Sequence, residues 1–395
     1  MTPVREGRLR VIVLGYVVRG PLGGLAWHYL QYVLGLARLG HDVWFVEDSD
    51  DYPGCYHPAT GEVDEDPGDG LAFAAAAFAR LGLADRWAYH DAHRGRWHGP
   101  AAPRMPRLGA SADVVLNVSG ANPLREPFLE VPHRVLIDTD PGFTQVHHRT
   151  DPWRRARAQA HTAFATFGER IAHGEAAVPD DGLAWIPTRQ PVVADVWPAE
   201  PVPAQAPLTT VMQWDSYDGV EHDGVAYGMK SRSFEVIASL PARSPAPLEI
   251  ALGAPTPVRS RLEDLGWRVA SSLEVTRDPW AYQDYLAASQ GELSVAKHGY
   301  VVGRTGWFSE RSGAYLACGR PVVVQDTGLE GILPVGEGLL TFADADGAAA
   351  GVEAVLGSPQ RHRAAARELV RAHLDAQRVL GDLLEAATST SEVRG

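Results

Sequence analysis

Residues 307 to 333, WFSERSGAYLACGRPVVVQDTGLEGIL, hold the densest set of groups suited to chemistry on an anion. The pattern predicts a loop, a helix starting at Ser309, small residues through Cys318, a stop at Gly319, a buried strand Pro321–Gln325 and a polar turn Asp326-Thr327-Gly328. A helix start offers unpaired N–H groups and the positive end of its dipole, and open α/β sheets bind ligands beyond the carboxyl ends of their strands. Phosphate is the natural guest for Ser309, Glu310, Arg311 and Ser312. Glu310 either faces the ligand or complements the helix dipole.

Two lysines sharpen this. Of 36 Lys and Arg residues only Lys230 and Lys297 are lysine, and a compact ammonium on a flexible stem suits phosphate. Lys230 precedes a helical run Phe234–Leu240; Lys297 follows an apolar run 293–296 and opens the loop His298-Gly299-Tyr300 toward Ser309. In the first half, Asp138 and Asp140 leave a strand ahead of Pro141-Gly142 and could supply a base, or simply cap a turn. His28 and His147 are further candidates, for acceptor contacts or for packing.

These groups need a scaffold. With 395 residues and 45% apolar content, two or three domains with sizeable cores are expected. A net charge of −13 with no basic stripe argues against nucleic acid or an anionic membrane as a partner. Cys55 and Cys318 form no metal or disulfide spacing, which fits a reducing cytoplasm, and Cys318 reads as a packed small residue. The uncharged run Gly20–Ala37 contains Pro21, Gly23, Gly24, His28 and Gln31, so a turn and buried helix are expected there, with no export signal and no membrane span.

Val11–Leu14, a glycine turn, Leu25–Leu39 and Val43–Val46 read as strand, helix and strand of a parallel sheet, with Glu47 where a ribose-binding acid would stand. Residues 49–110 read as irregular apart from a helix near 71–81, a candidate acceptor region or a solvated insertion. Strands resume at Val114–Val118 and Arg134–Ile137. Prolines from Pro187 to Pro207 mark a linker, with Thr188-Arg189-Gln190 near a cleft. Thr209–Gln213, Leu248–Leu252 and Trp267–Val269 continue as strands, 259–265 and Trp280–Leu286 as helices, and Arg361–Ala387 as one long closing helix before a disordered tail from Thr388.

The donor-side segment resembles the signature of GT-B glycosyltransferases, especially the family-4-like group. There a Phe-Gly turn opens a helix ending Ala-Met-Ala-Cys-Gly-x-Pro-Val-Val, followed by an Asp-x-Gly-Gly-x-x-Glu loop. Phe308 and Ser309 stand at the turn, residues 316–323 at the helix end and strand, and residues 326–330 at the loop. The group's paired glutamates fall on Gly306 and Ala314, and Glu310 lies one turn before Ala314 on nearly the same face. Lys230 matches the Lys-Gly of the first donor-domain loop. Gly23-Gly24, with its helix and Gly40-His41-Asp42-Val43, resembles the GT-B opening, where the loop lies under the donor phosphates.

The resemblance implies an α/β GT-B protein: two Rossmann-like domains with parallel sheets facing across a cleft. The expected division is 1–195 for the acceptor side, 196–207 for the linker, 208–375 for nucleotide-sugar binding and 376–395 for a closing helix and tail. The implied activity is metal-independent transfer of a hexose from a UDP-, GDP- or dTDP-linked donor to a small-molecule or glycan acceptor, as in natural-product or envelope biosynthesis. Gly23, Gly24, Lys230, Lys297, His298, Gly299 and Ser309–Ser312 would hold the donor, with Asp326, Thr327 and Gly328 on its sugar and Glu310 on its ribose. Asp140, then Asp138, would be the base if the reaction inverts. A nucleotide-sugar epimerase of the same fold, or a catalytically inert partner subunit, are the alternatives.

Overall fold

The computed structural model describes residues 7–50, 54–199, 201–203 and 205–389. Two sheets organise it. The first is built from β1 (Arg10–Leu14), β2 (Asp42–Asp48), β3 (Trp87–Asp91), β4 (Arg96–His98), β5 (Val114–Val118), β6 (His133–Asp138), β7 (Ala163–Thr166) and β8 (Trp185–Pro187). Their order is β8-β7-β6-β5-β1-β2-β3-β4, parallel except for the β3–β4 edge pair. Val11 pairs with Val43 on one side and Val114 on the other, so the order reverses at β1, where apolar β-branched residues are buried on both faces.

The second sheet contains β9 (Leu208–Gln213), β10 (Leu248–Gly253), β11 (Arg268–Ser271), β12 (Gly291–Ser294), β13 (Val322–Gln325) and β14 (Leu339–Phe342). It is wholly parallel in the order β11-β10-β9-β12-β13-β14 and reverses at β9. Both reversals place strand exits at the gap between the sheets.

Four expectations about elements need correction. Within 49–110, of which 51–53 lie outside the described residues, the chain is not simply irregular: β3 extends the first sheet, and its Asp91 is buried beneath Arg94 at 3.2 Å. A polar sequence such as WAYHD hides a strand whose burial comes from its neighbours. The run Phe234–Leu240 is not a helix of its own; a short helix Lys230–Phe234 gives way to turns. Nor is Arg361–Ala387 one helix. It ends at Leu369, passes through a π-turn at Val370–Leu374, and restarts after Asp375, where Val192 N–H donates to Leu374 O at 2.8 Å and Ala376 N–H to Val192 O at 3.0 Å. The proposed tail from Thr388 begins inside this last helix, Ala376–Ser389, and residues 390–395 lie outside the described ones.

Helix α1 (Gly23–Arg38) is apolar on nearly all sides because it is enclosed on nearly all sides. The C-terminal helix Ala376–Ser389 crosses it at Gly35, where an added Cβ would come within 2.6 Å of Leu380. Helix α2 (Pro279–Ala287) approaches from the second sheet, with Trp27 Nε1 donating to Pro279 O at 2.7 Å. No helix among the described residues is long and apolar enough to cross a membrane.

Candidate active site

A cleft of about 1120 Å³ lies between the strand exits of the two sheets. Its second-domain wall rests on helix α3 (Glu310–Ala317), which Ser309 caps by accepting from Arg311 N–H at 3.2 Å. The Arg311 guanidinium is fixed by three acceptors: Glu292 at 2.6 Å, Val211 O at 2.9 Å and Ser294 Oγ at 3.0 Å. Burial opposes its charge, but Glu292 and Glu310 outweigh burial and raise its pKa, so it is a permanent cation. Glu310 faces the same cleft. Burial pushes its carboxyl up, yet His28, Arg311 and Lys230 together hold it below its usual value, so it stays ionised.

Lys230 stands at the start of its short helix, half-buried, with no hydrogen-bond or ion-pair partner among the described residues. Burial first, and then the charges of Arg311 and Lys297, depress its ammonium to about 7, against the pull of Glu310. An under-compensated cation held at a cleft wall is what an anionic ligand would relieve.

Lys297 is different. It crosses the cleft to Asp140 Oδ1 at 2.8 Å and donates to Tyr217 Oη at 2.7 Å, while the Tyr217 and Tyr300 hydroxyls both donate to Asp140. Asp140 therefore belongs to a four-residue interdomain cluster. Burial would raise its pKa, but Lys297 and the two phenols lower it. Lys297 also lies 4.3 Å from the Tyr217 ring centre and 5.2 Å from that of Phe143. Asp138 turns inward, accepting from Thr144 at 2.6 Å, Thr166 at 2.9 Å and Gln145 at 3.2 Å; burial raises its pKa. It also accepts from Asp140 N–H at 2.9 Å, so it braces the turn that presents Asp140.

On the first-domain wall, His28 reaches the cleft from α1, with Nδ1 2.6 Å from Gln190 Oε1 and Nε2 3.3 Å from Ser119 Oγ. Burial lowers its pKa, with Glu310 opposing. His147 lies outside this cleft, against Arg154 at 3.2 Å.

Several expected donor contacts are not brought to the cleft. Glu47 is fully buried and accepts from the N–H groups of Val17, Val18 and Arg19 at 2.6–2.8 Å and from Arg19 Nε at 3.2 Å, so it shapes the glycine-rich turn and is closed to a ribose. Gly23 gives close approach to protein instead of phosphate: its N–H donates to Thr276 O at 2.6 Å, and a Cβ there would lie 2.1 Å from Asp278 O. Gly24 lines the cleft but packs under the Tyr282 ring. His298 accepts weakly from Gly228 N–H at 3.4 Å and Gly299 packs on Phe143, both outside the cleft lining.

Ser309 and Ser312 face a separate small void. Asp326 caps Gly328 and Leu329 at 2.8 and 3.1 Å, Thr327 donates to Trp307 O at 2.6 Å, and Gly328 O accepts from Arg170 of the first domain at 2.6 Å. That turn joins the two domains, and none of its three residues lines the large cleft. Gly306, at the position of a family glutamate, has φ +73° with a prospective Cβ 3.2 Å from Arg170, so a glutamate would be strained as well as crowded.

No spacing in the sequence marks Tyr217; Tyr300 lies three residues beyond Lys297, on one helical turn of the segment that Lys297 opens. Arg259 and Ser119 also reach the cleft unannounced.

The tightness at Gly23 is testable. Gly23→Ala should push the Thr276–Asp278 loop away from α1 and cost about 1–3 kcal/mol, the usual range for overpacking. A melting temperature equal to wild type would show that the two loops part freely.

No protein-family profile matches the chain, and no curated protein sequence matches it. Solved structures do. An alpha-glucosyltransferase in complex with UDP and a 13-mer DNA containing a central A:G mismatch superposes with TM-score 0.57 at 9% identity over 96% of this chain and 100% of that one. Anabaena Alr3699/HepE, in complex with UDP and glucose, gives 0.56 at 10% over 97% and 100%. The sucrose-phosphate synthase of Thermosynechococcus elongatus gives 0.53 at 14% over 97% and 100%. The likeness spans both sheets and the cleft, and it shows the fold: GT-B, two Rossmann-like α/β domains facing one another as in these glycosyltransferases.

Proposed function

We propose that this protein transfers a hexose from a nucleoside-diphosphate sugar to a hydroxyl of a small-molecule or glycan acceptor, in the manner of the family-4-like glycosyltransferases its donor segment resembles. The observation that carries this is Lys230, an ammonium with no hydrogen-bond or ion-pair partner among the described residues, facing a large cleft beside the fixed charge of Arg311. A diphosphate between Lys230 and the start of α3 would neutralise the ammonium and meet the positive end of the helix dipole, a task that needs no metal ion. Glu310 is within the same wall for ribose or sugar hydroxyls, and the exits at Leu252–Pro255 and the exposed Leu273 offer an apolar bed for a nucleobase. UDP is the first donor to test, since two of the structural neighbours were solved with it.

In the transfer, the acceptor oxygen bonds to the anomeric carbon while the bond from that carbon to the diphosphate oxygen breaks. The nucleoside diphosphate leaves with the electron pair. The hydroxyl proton passes to a first-domain base, for which Asp140 is the leading candidate and His28 the second. A protein division of 1–195, 196–207, 208–375 and 376–395 suits this scheme, with acceptor groups from the first part and donor groups from the third. An epimerase would need no room for an acceptor, and a further cavity shares a wall with the cleft here, which favours transfer.

Calorimetric titration with UDP, GDP and dTDP in the presence of EDTA tests the donor site. At least one should bind, and its sugar conjugate should be slowly hydrolysed. If none of the three produces binding heat, the assignment fails; binding without any turnover favours an inert partner subunit.

A further inference from the structure

The second cavity, about 870 Å³, shares Ser119, Thr139 and Asp140 with the donor cleft. Its floor is the exits of β5 and β6. Its sides are the helix Pro152–Gln159 and, across the domain gap, the segment Tyr217–Val220. The Asp140–Lys297–Tyr217–Tyr300 cluster thus stands at the partition between the two spaces.

The two spaces differ in charge. In the donor cleft Lys230 has no ion-pair partner among the described residues and only the longer-range pull of Glu310. In the second cavity the arginines are already matched, Arg157 by Asp50 at 3.1 Å and Arg154 by Asp151 at 3.4 Å, while Lys297 at the partition is matched by Asp140. His147 is held below its usual pKa by burial and by Arg154, so it carries little charge near neutrality. Asp218 adds an exposed carboxylate with no ion-pair partner among the described residues. A phosphate or carboxylate entering here would meet no spare positive charge.

The apolar surface is equally specific. Trp153 is 60% exposed and Tyr217 39% exposed, the two aromatic members of the exposed large apolar side chains among the described residues, and both line this cavity. The Arg157 guanidinium covers one side of the Trp153 ring at 4.7 Å, and the exposed remainder, among carboxylates and amides, suits a ring with one apolar face and several hydroxyls. Such a surface in water is otherwise a cost.

We propose that this cavity is the acceptor subsite and that it takes a neutral polyhydroxylated ring, a pyranoside, laid on Trp153 with one hydroxyl directed at the shared Ser119–Thr139–Asp140 wall. The proposal rests on the glycosyl-transfer function above. Trp153 sits on an exposed helix, away from the proposed donor contacts and base, so its replacement leaves the fold and the donor site intact.

The test uses the full-length protein, with and without saturating UDP, and saturation-transfer NMR of methyl glucoside, methyl galactoside, methyl mannoside and glucose 6-phosphate. At least one neutral pyranoside should bind, with glucose 6-phosphate at least tenfold weaker. Trp153→Ala should weaken the pyranoside about tenfold and Trp153→Phe should restore most of it, the size expected for one stacking contact. UDP affinity should be the same in all three proteins. If no neutral pyranoside binds, if the phosphate binds as well as its neutral counterpart, or if Trp153→Ala changes nothing, the proposal is overturned. Absence of UDP binding is a separate result: it sinks the donor assignment, whereas pyranoside binding is read in either condition.

Discussion

Replacing Lys230 with methionine is expected to weaken nucleoside-diphosphate binding about ten- to hundredfold while making the ligand-free protein more stable. The first effect follows from losing charge-assisted bonds to phosphate, about 1.5–3 kcal/mol in all. The second follows from the environment: burial and the neighbouring Arg311 and Lys297 depress the ammonium to about 7, far under its ordinary value of 10.5, so folding acts against the charge. Below pH 7 Lys230 is protonated in both folded and unfolded chains and the penalty is fully present. As pH rises from about 7 toward 10.5, the folded protein sheds the proton before the unfolded chain does, and the penalty is progressively relieved.

Wild-type stability should therefore rise with pH across that window relative to Lys230→Met. In the variant the melting temperature should be higher near neutrality, about 2–4 °C for each kcal/mol of charge burial removed. Donor binding should also take up a proton at pH 8, visible as a dependence of the calorimetric heat on buffer ionisation enthalpy. A variant that binds UDP normally would move the phosphate site elsewhere; one that loses binding and stability together would make Lys230 a structural residue.

Asp140→Asn is expected to reduce transfer by about 10²–10⁴-fold with donor affinity preserved, the usual contribution of a general base. The carboxylate's position is favourable, at the wall common to both cavities, but its oxygens are engaged by Lys297, Tyr217 and Tyr300. It must exchange one of those donors for the acceptor hydroxyl. Its pKa is held below the ordinary carboxylate value despite burial, chiefly by Lys297, so it is ionised at every physiological pH.

Lys297→Met separates the two roles this cluster can play. If Asp140 is the base, the lysine variant keeps transfer within about tenfold of wild type and moves the acid limb of the pH–rate profile upward, because the depressing charge is gone. If the ion pair serves only to hold the domains closed, both variants lose transfer alike. Normal turnover in Asp140→Asn, or retention of anomeric configuration in the product, would remove Asp140 as an inverting base and leave His28, whose pKa is lowered by burial and which faces the cleft, as the group to test.

What was legible in the chain was local. Apolar β-branched runs separated by glycine stops predicted β1, β2, β5, β9, β10 and β13 because a strand buried on both faces must be continuously apolar. Ser309 was legible as a cap, since its hydroxyl serves an N–H two residues away. The scarcity of lysine pointed to Lys230 and Lys297, though not to their different fates. β3, which lies between β2 and the edge strand β4, escaped notice because its polar Asp91 is covered by side chains from elsewhere.

The site itself was decided by the tertiary structure, because its key contacts join residues far apart in the chain. Asp140 meets Lys297 across 157 positions and Tyr217 across 77, and no sequence spacing encodes either meeting. Glu47 and Gly23 illustrate the same limit from the other direction. A buried acid after β2 and a glycine before α1 have the residue types of a nucleotide site, yet one is spent on three backbone N–H groups and the other on the second domain's loop. Sequence determines which side chains have the chemistry for phosphate or proton transfer; the packing of one domain against the other determines which of them are left unpaired to perform it.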